Sequence, residues 1–430
     1  MRSAILLLFS LLLVGMPSMA WPLSYENLAA DSRWQALLHI NRGATLRSRG
    51  KSYVADERFF FAEDGRANAV NELIESARVL SVSGAPERCR FPARYRFLAQ
   101  SLGWVEPNPL AHCEEYIEWR NQIPSDEVVL VFPAAYLNSP SSMFGHTLLR
   151  FGAADQESVW HAWAVNFGAL VTPDDNSIFY IYRGLAGGYP GRFATVSYIS
   201  KIQEYAHLEN RDMWEYRLDL DAQEVAWMID HLWELRDIDF AYYFLDENCS
   251  FRLLELIEVA RPDVNLLSNY RFAEVPVNTV RAIDAAGLIA ERVYRPSKAM
   301  ELSQITDQLN VAEQRLARQL VRDPAVAESP AFMALATEQR HLVARAAYQA
   351  LRFNDRSRDT QQGNTGTAFA LLRIMHANPA PALSPVQPPE PPEDGHATKM
   401  LAVSGGQRDD VGFAELQYRL TYHDWLDNHY

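Results

Sequence analysis

The period of the hydrophobic pattern changes several times along this chain, and each change predicts an element. In "DENCSFRLLELIEVARP", Asp246 to Pro262, the apolar residues Leu253, Leu254, Ile257 and Ala260 recur at helical spacing, with Arg252, Glu255 and Glu258 on the other side. Asp246 and Asn248 are good N-cap types, and Pro262 closes the helix. "DAQEVAWMIDHLWELRDI" predicts a second amphipathic helix with Val225, Met228, Ile229 and Leu232 inward. Trp227 and Trp233 read as core there, and His231 as structural. In "EVVLVFPAAYLNSPSSMFGHTLLRFG", Val128 to Phe132 reads as a short buried strand and Asn138-Ser139-Pro140 as a turn. A second strand follows from Gly145 to Phe151, with His146 at its start. "SVWHAWAVNFGAL" and "RDMWEYRLDL" also read as strands.

The flanks follow other patterns. "SRWQALLHI", "NAVNELIESARVL" and "ARYRFLAQSLG" predict helices before residue 115, and residues 297–376 are helical again. "MHANPAPALSPVQPPEPPEDGH" reads as a semi-rigid linker rather than a domain interior. Beyond it, Ala414, Leu416, Tyr418, Leu420 and Tyr422 alternate with Glu415, Gln417, Arg419 and Thr421, the period of a transmembrane β-strand. One hairpin cannot close a barrel, which needs about eight strands at least. The tail therefore reads as the start of a truncated outer-membrane barrel, or as a short form whose tail pairs elsewhere, and as poorly ordered. The divisions are 21–115, mostly helical; 116–290, the core; 291–377, helical; 378–395, linker; and 396–430, the barrel start.

Compartment sets what the cysteines are for. Arg2, an apolar run from Ala4 to Val14 and Ser18-Met19-Ala20 form a secretory signal over residues 1–20, with an uncleaved anchor as the rival reading. No Cys stands near the cut, which argues against a lipoprotein signal. The mature chain is expected in a bacterial periplasm. Of its 430 residues, 48% are hydrophobic and 22% charged, so most of it should fold. The net charge is -14, and -15 once residues 1–20, with Arg2 and no acid, are gone. Such a chain is a poor partner for nucleic acid, although a membrane surface stays open.

An oxidising compartment favours pairing Cys89 with Cys113, which leaves Cys249 odd. Cys249 falls in the first turn of its helix, where free N–H groups and the helix dipole stabilise a thiolate. The same groups form an oxyanion hole, with Asn248 as a further donor; alternatively, Asp246 and Asn248 only cap the helix. His146 is the candidate base, beside Gly145, and His161 and Asn166 are candidates to orient it. Gly184, Gly187, Gly188 and Gly191 suggest a mobile loop over a cleft, with Gly187, Gly188 and Tyr189 as the candidate substrate loop. Tyr182, Tyr189, Phe193 and Tyr198 would line an acyl-chain groove, or else pack with the glycines as a core turn. His146, His161 and His207 show no metal-ligand spacing, so neither metal nor cofactor is expected.

The blocks "SMFGHTLLRF", "AVNFGA", "GLAGGYPGRF", "RDMWEYRLDL", "HLWELR" and "DENCSFRLLELIE" together resemble the DUF4105 family, or Lnb-type N-terminal periplasmic domain, over about residues 118–262. That family is similar to circularly permuted papain-like enzymes of the NlpC/P60 and LRAT type. The resemblance implies an α+β, circularly permuted papain-like core with helical flanks and a C-terminal β-hairpin fragment. His146 precedes Cys249 by 249 − 146 = 103 residues, the permuted order. Asn166 matches the family's block better than His161 does. The resemblance further implies a thioester on Cys249 and, in related proteins, N-acylation of lipoproteins. A phospholipid donor and a lipoprotein amine are the expected partners, close to a membrane. Two alternatives stand beside this: a thiol hydrolase of cell-wall peptides, and a non-catalytic envelope-binding module. Many relatives join such a domain to a C-terminal outer-membrane barrel.

Overall fold

The computed structural model describes residues 24–40, 50–134, 146–153, 161–171, 177–243, 247–269, 275–354, 364–380 and 387–419. The leader 1–20, the turn at 138–140, Gly145, Asp246 and the tail from 420 lie outside the described residues.

The centre is a seven-stranded sheet: β1 Glu127–Pro133, β2 Leu148–Gly152, β3 Trp163–Ala169, β4 Tyr189–Ser197, β5 Met213–Leu218, β6 Phe240–Tyr242 and β7 Ile289–Arg295. Its order is β6-β4-β3-β2-β1-β5-β7, with every neighbouring pair antiparallel. β1 is buried on both faces, as its unbroken apolar run requires. Val128, Leu130 and Phe132 face one core with Leu149, Val165 and Tyr216. Val129 and Val131 face a second core with Leu148, Ala164, Tyr198 and Tyr205. The fold is therefore α+β on an antiparallel sheet.

Three helices share the first core: α9 Ala222–Glu234, α10 Cys249–Ala260 and α11 Pro276–Ala285. Val225, Met228, Ile229 and Leu232 point inward from α9, as the pattern predicts. Helix α10 departs from expectation. All twelve of its residues are buried, including Arg252, Glu255 and Glu258, so its polar side is not solvated.

Among the described residues, six helices precede β1: α1 Tyr25–Ala29, α2 Ser32–Leu37, α3 Ala69–Leu80, α4 Pro86–Arg90, α5 Pro92–Leu102 and α6 Glu114–Gln122. Helices α1, α2, α3 and α5 share one apolar cluster with the sheet domain: Trp34, Leu37, Phe59 and Leu98 pack with Trp227, Phe240, Cys249 and Val259. Arg33 Nη1 donates to the Val259 carbonyl near the end of α10 at 3.1 Å, and Val54 forms a β-bridge with Phe240. Cys89 in α4 and Cys113 at the N-cap of α6 are joined by a disulfide.

Between β3 and β5 the glycine-rich segment is not a loop. It folds as α7 Ser177–Ala186, a tight turn, β4 and then α8 Tyr198–Ile202. Gly187 sits at φ +74, and a Cβ there would collide with the Tyr243 ring. Gly184 lies inside α7 and Gly191 inside β4. The candidate substrate loop of Gly187, Gly188 and Tyr189 is thus a helix–strand junction. Tyr189 and Tyr198 are buried and Phe193 packs against Phe167, while Tyr182 is exposed. Tyr189 and Phe193 share one face of β4, while Tyr198 belongs to the second core and Tyr182 to the surface.

Helices α12 Lys298–Asp307, α13 Val311–Arg322, α14 Pro330–Met333, α15 Thr337–Asn354 and α16 Thr365–Ala377 follow. These five helices share a core of their own, built on Ile305, Leu320, Phe332, Val343 and Leu371. The Pro-rich linker is not free of the interior at its far end. Glu393 is buried, accepting from Tyr216 Oη at 2.5 Å and Arg292 Nε at 2.9 Å, while Arg281 Nε donates to its carbonyl at 2.9 Å. Charge pairing, which composition does not report, anchors this segment. Strands β8 Met400–Arg408 and β9 Val411–Arg419 then form an isolated hairpin. Leu401 opposes Tyr418 and Val403 opposes Leu416, so one face is apolar and exposed. No helix among the described residues is long and apolar enough to cross a membrane.

Candidate active site

Three elements deliver the site. α10 starts at Cys249 because Asn248 caps it: Asn248 Oδ1 accepts from the N–H groups of Ser250 at 3.1 Å and Phe251 at 3.3 Å. Asn248 therefore spends its carbonyl oxygen on the helix, which is the capping reading. β2 begins two residues after His146, and β3 carries Asn166.

The tertiary fold brings these residues together across 103 positions. Cys249 Sγ lies 3.3 Å from His146 Nδ1. His146 Nε2 lies 2.7 Å from Asn166 Oδ1. A carbonyl oxygen accepts only, so Nε2 carries the proton and Nδ1 is free to take one from the thiol. A parallel pair sits alongside, with Thr147 Oγ1 and Ser250 Oγ 3.1 Å apart and buried. The two contacts fix the start of β2 against the start of α10. His161 stands exposed just ahead of β3, with Asn166 in the orienting place.

Burial pushes the Cys249 thiol up. His146, through its charge and its hydrogen bond, overcomes this together with the Thr147 N–H and the Ser250 hydroxyl, and brings the thiol down from 9.0 to about 7. The thiol is 4% exposed. Tyr205 is buried with its ring 6.1 Å from the imidazole, and the Arg211 guanidinium lies 5.0 Å from the same ring.

Sequence reasoning missed Tyr242. Its hydroxyl lies against Cys249, whose backbone and thiol both act on its ionisation. Burial first, then the charge of Cys249 and the presence of Tyr180, push its ionisation well up, so it stays a protonated donor. The ring stacks on Phe167 at 5.7 Å, and Gly191 leaves the space that both rings need. The tandem Tyr242-Tyr243 just ahead of the "DENCS" block was the signal available.

Among the described residues, one cluster has metal-ligand types in reach: Cys89, His112 and Cys113. Both sulfurs are spent on the disulfide, which leaves one imidazole as a donor.

Residues 115–286 match the Lnb N-terminal periplasmic domain. The matched segment contains β1 to β6, the α10 helix and all of Cys249, His146, Asn166 and Tyr242. It is a periplasmic domain family, in keeping with the signal read at residues 1–20. Three further matches are to domains of unknown function: DUF7843 over residues 26–101, DUF7842 over 292–374 and DUF7840 over 389–430. No curated protein and no solved structure matches the chain.

Proposed function

We propose that the chain is a periplasmic thiol acyltransferase with a papain-like, circularly permuted core, working through a thioester on Cys249. The observation that carries the reading is the linear array of Sγ, imidazole and Asn166 amide at a helix N-terminus, with separations of 3.3 and 2.7 Å. The resemblance to Lnb-type domains supports an acyl donor of the phospholipid class and an amine acceptor on a lipoprotein.

His146 Nδ1 holds the thiol proton, and the thiolate attacks the ester carbonyl carbon. The developing oxyanion meets the Cys249 N–H and the neighbouring Tyr242 hydroxyl. The C–O bond breaks, and His146 gives its proton to the leaving alkoxide oxygen, which leaves the thioester. The acceptor amine then attacks the thioester carbon and loses its proton to Nδ1, and the C–S bond breaks to restore the thiolate. Asn166 holds Nε2–H throughout and so keeps Nδ1 facing sulfur. With water as the acceptor the same array is a hydrolase, and the chemistry up to the acyl-enzyme is common to both.

The test mixes the mature protein with phospholipid vesicles and a diacylated lipopeptide bearing a free amine, and weighs both by mass spectrometry. The expected result is one acyl group gained by the lipopeptide, absent with Cys249→Ala. Tyr242→Phe should slow that gain by about 10²-fold, the scale of one lost oxyanion donor. An acyl adduct on Cys249 with an unchanged lipopeptide would retain the nucleophile and reject the amine acceptor. Unchanged masses throughout, with folded protein, would sink the acyl-enzyme reading in favour of a binding module.

A further inference from the structure

The second core holds a tyrosine whose hydroxyl the fold leaves unused. Helix α8 passes directly into a π-helical turn, Gln203–Leu208. Its width shows in the Glu209 N–H, which donates to the Glu204 carbonyl five residues back at 2.9 Å. Such turns are rare and gather at functional sites. Arg211 fixes the far end. Its backbone N–H donates to the Tyr205 carbonyl at 2.9 Å, and its Nη2 donates to the Pro133 carbonyl at the end of β1, also at 2.9 Å. The turn thereby sets the Tyr205 ring 6.1 Å from the His146 imidazole, in the core that Val129 and Val131 face.

A buried tyrosine ordinarily gives its hydroxyl a partner, because an unmade hydrogen bond in the interior is unfavourable. Tyr198, in the same core, donates to Glu215 at 2.8 Å, and Tyr116 donates to Asp230 at 2.7 Å. Tyr205 is 4% exposed, yet among the described residues its hydroxyl makes no hydrogen bond. The acids nearest to it are taken: Glu204 by Lys201 at 2.7 Å and Glu209 by Arg211 at 3.0 Å. Lys201 and Arg211 lie 5.4 and 5.0 Å from the ring centre, and neither cation can accept a proton from it. The hydroxyl is not sealed in and keeps a contact with solvent. Burial first, then Glu204, outweighs Arg211 and keeps the phenol protonated; Glu209 and Cys249 add to this, so the thiol lies within electrostatic reach of it.

The site has two sides. The Cys249 N–H and the Tyr242 hydroxyl arrive with α10 and β6, and they meet the carbonyl oxygen as it becomes an oxyanion. The leaving oxygen goes elsewhere, because it must reach His146 to collect its proton. Tyr205 packs on that imidazole, so its donor stands on the side of the leaving group.

We propose that Tyr205 is a catalytic residue: its hydroxyl donates a hydrogen bond to the leaving oxygen of the acyl donor as the C–O bond breaks. The proton that neutralises the alkoxide still comes from His146, and Tyr205 keeps its own. The ligand class is an alkyl ester, whose alkoxide is a poor leaving group, as in the glycerol esters of a phospholipid. This rests on the acyl-enzyme reading at Cys249. The test gives the full-length mature protein the ethyl ester and the p-nitrophenyl ester of one short fatty acid, and follows the Cys249 adduct by mass in a single turnover. Nitrophenolate leaves without a donor, so the second ester isolates the carbonyl side. Tyr205→Phe should lower the ratio of the ethyl-ester rate to the nitrophenyl-ester rate about tenfold, the scale of one hydrogen bond. Its urea unfolding midpoint should not fall, since no internal bond is lost. An unchanged ratio would overturn the proposal. So would a lower midpoint, which would give the hydroxyl a partner within the fold. Acylation of the unmodified protein by the nitrophenyl ester alone would overturn it too, and would leave Cys249 as nucleophile. No adduct from either ester would sink the acyl-enzyme reading itself, and this inference with it.

Discussion

A thiol held near neutrality is the main consequence at the scale of single residues. Cys249 comes down from 9.0 to about 7 although its burial alone would raise it. Its thiolate is therefore present above pH 7 and is lost as pH falls through that value. Alkylation followed by mass should fall about tenfold per pH unit below 7 and level off above it. His146→Ala removes the charge and the hydrogen bond that oppose burial. Its midpoint should move above about 8.5, the range of an unassisted thiol. A variant that kept its midpoint near 7 would show that the helix terminus, not His146, sets the ionisation.

At the scale of elements, α10 matters most because it couples three jobs in twelve residues. Its first turn presents the thiol, one side packs on the sheet, and the other meets Glu247 through Arg252 and His39 through Glu255. Its start is set by Asn248, whose side chain satisfies two of the free N–H groups. Asn248→Ala should cost about 1 kcal/mol in urea unfolding, the ordinary value of a lost cap. It should also slow Cys249 alkylation, because the first turn frays where the thiol sits. A stability loss with unchanged alkylation would mean that the contacts of Ser250 and Thr147 alone hold that turn.

At the scale of the whole molecule, the N-terminal helices and the sheet domain behave as one body, because Cys249 and Val259 share a cluster with Trp34 and Phe59. The disulfide lies within this shared body and spans 24 positions. Replacing Cys89 and Cys113 by Ser should cost about 3 kcal/mol on the chain-entropy view. The loss should appear in one unfolding transition that also removes Cys249 protection from alkylation. Two separate transitions, with the thiol still protected after the first, would show that the N-terminal helices unfold independently.

What the sequence by itself determined was local. Period and caps located α9, α10 and the strands β1, β3 and β5, because hydrophobic spacing and N-cap chemistry act within a few residues. Cysteine count and compartment pointed to the partner of Cys89, and helix position pointed to the thiol at Cys249. Tertiary structure decided everything that depends on distant neighbours. It turned the glycine-rich segment into a helix and a strand, with Gly187 packed against Tyr243 and Gly191 against Phe167 and Tyr242. It buried Arg252, Glu255 and Glu258, a side of α10 that hydrophobic period alone would leave in water, because Glu247, His39 and the Leu267 N–H meet it there. It brought Tyr242 to the thiol, for which no spacing rule exists. A charge or hydroxyl is placed by the partner it meets, and that partner is chosen by the fold rather than by neighbours in the sequence.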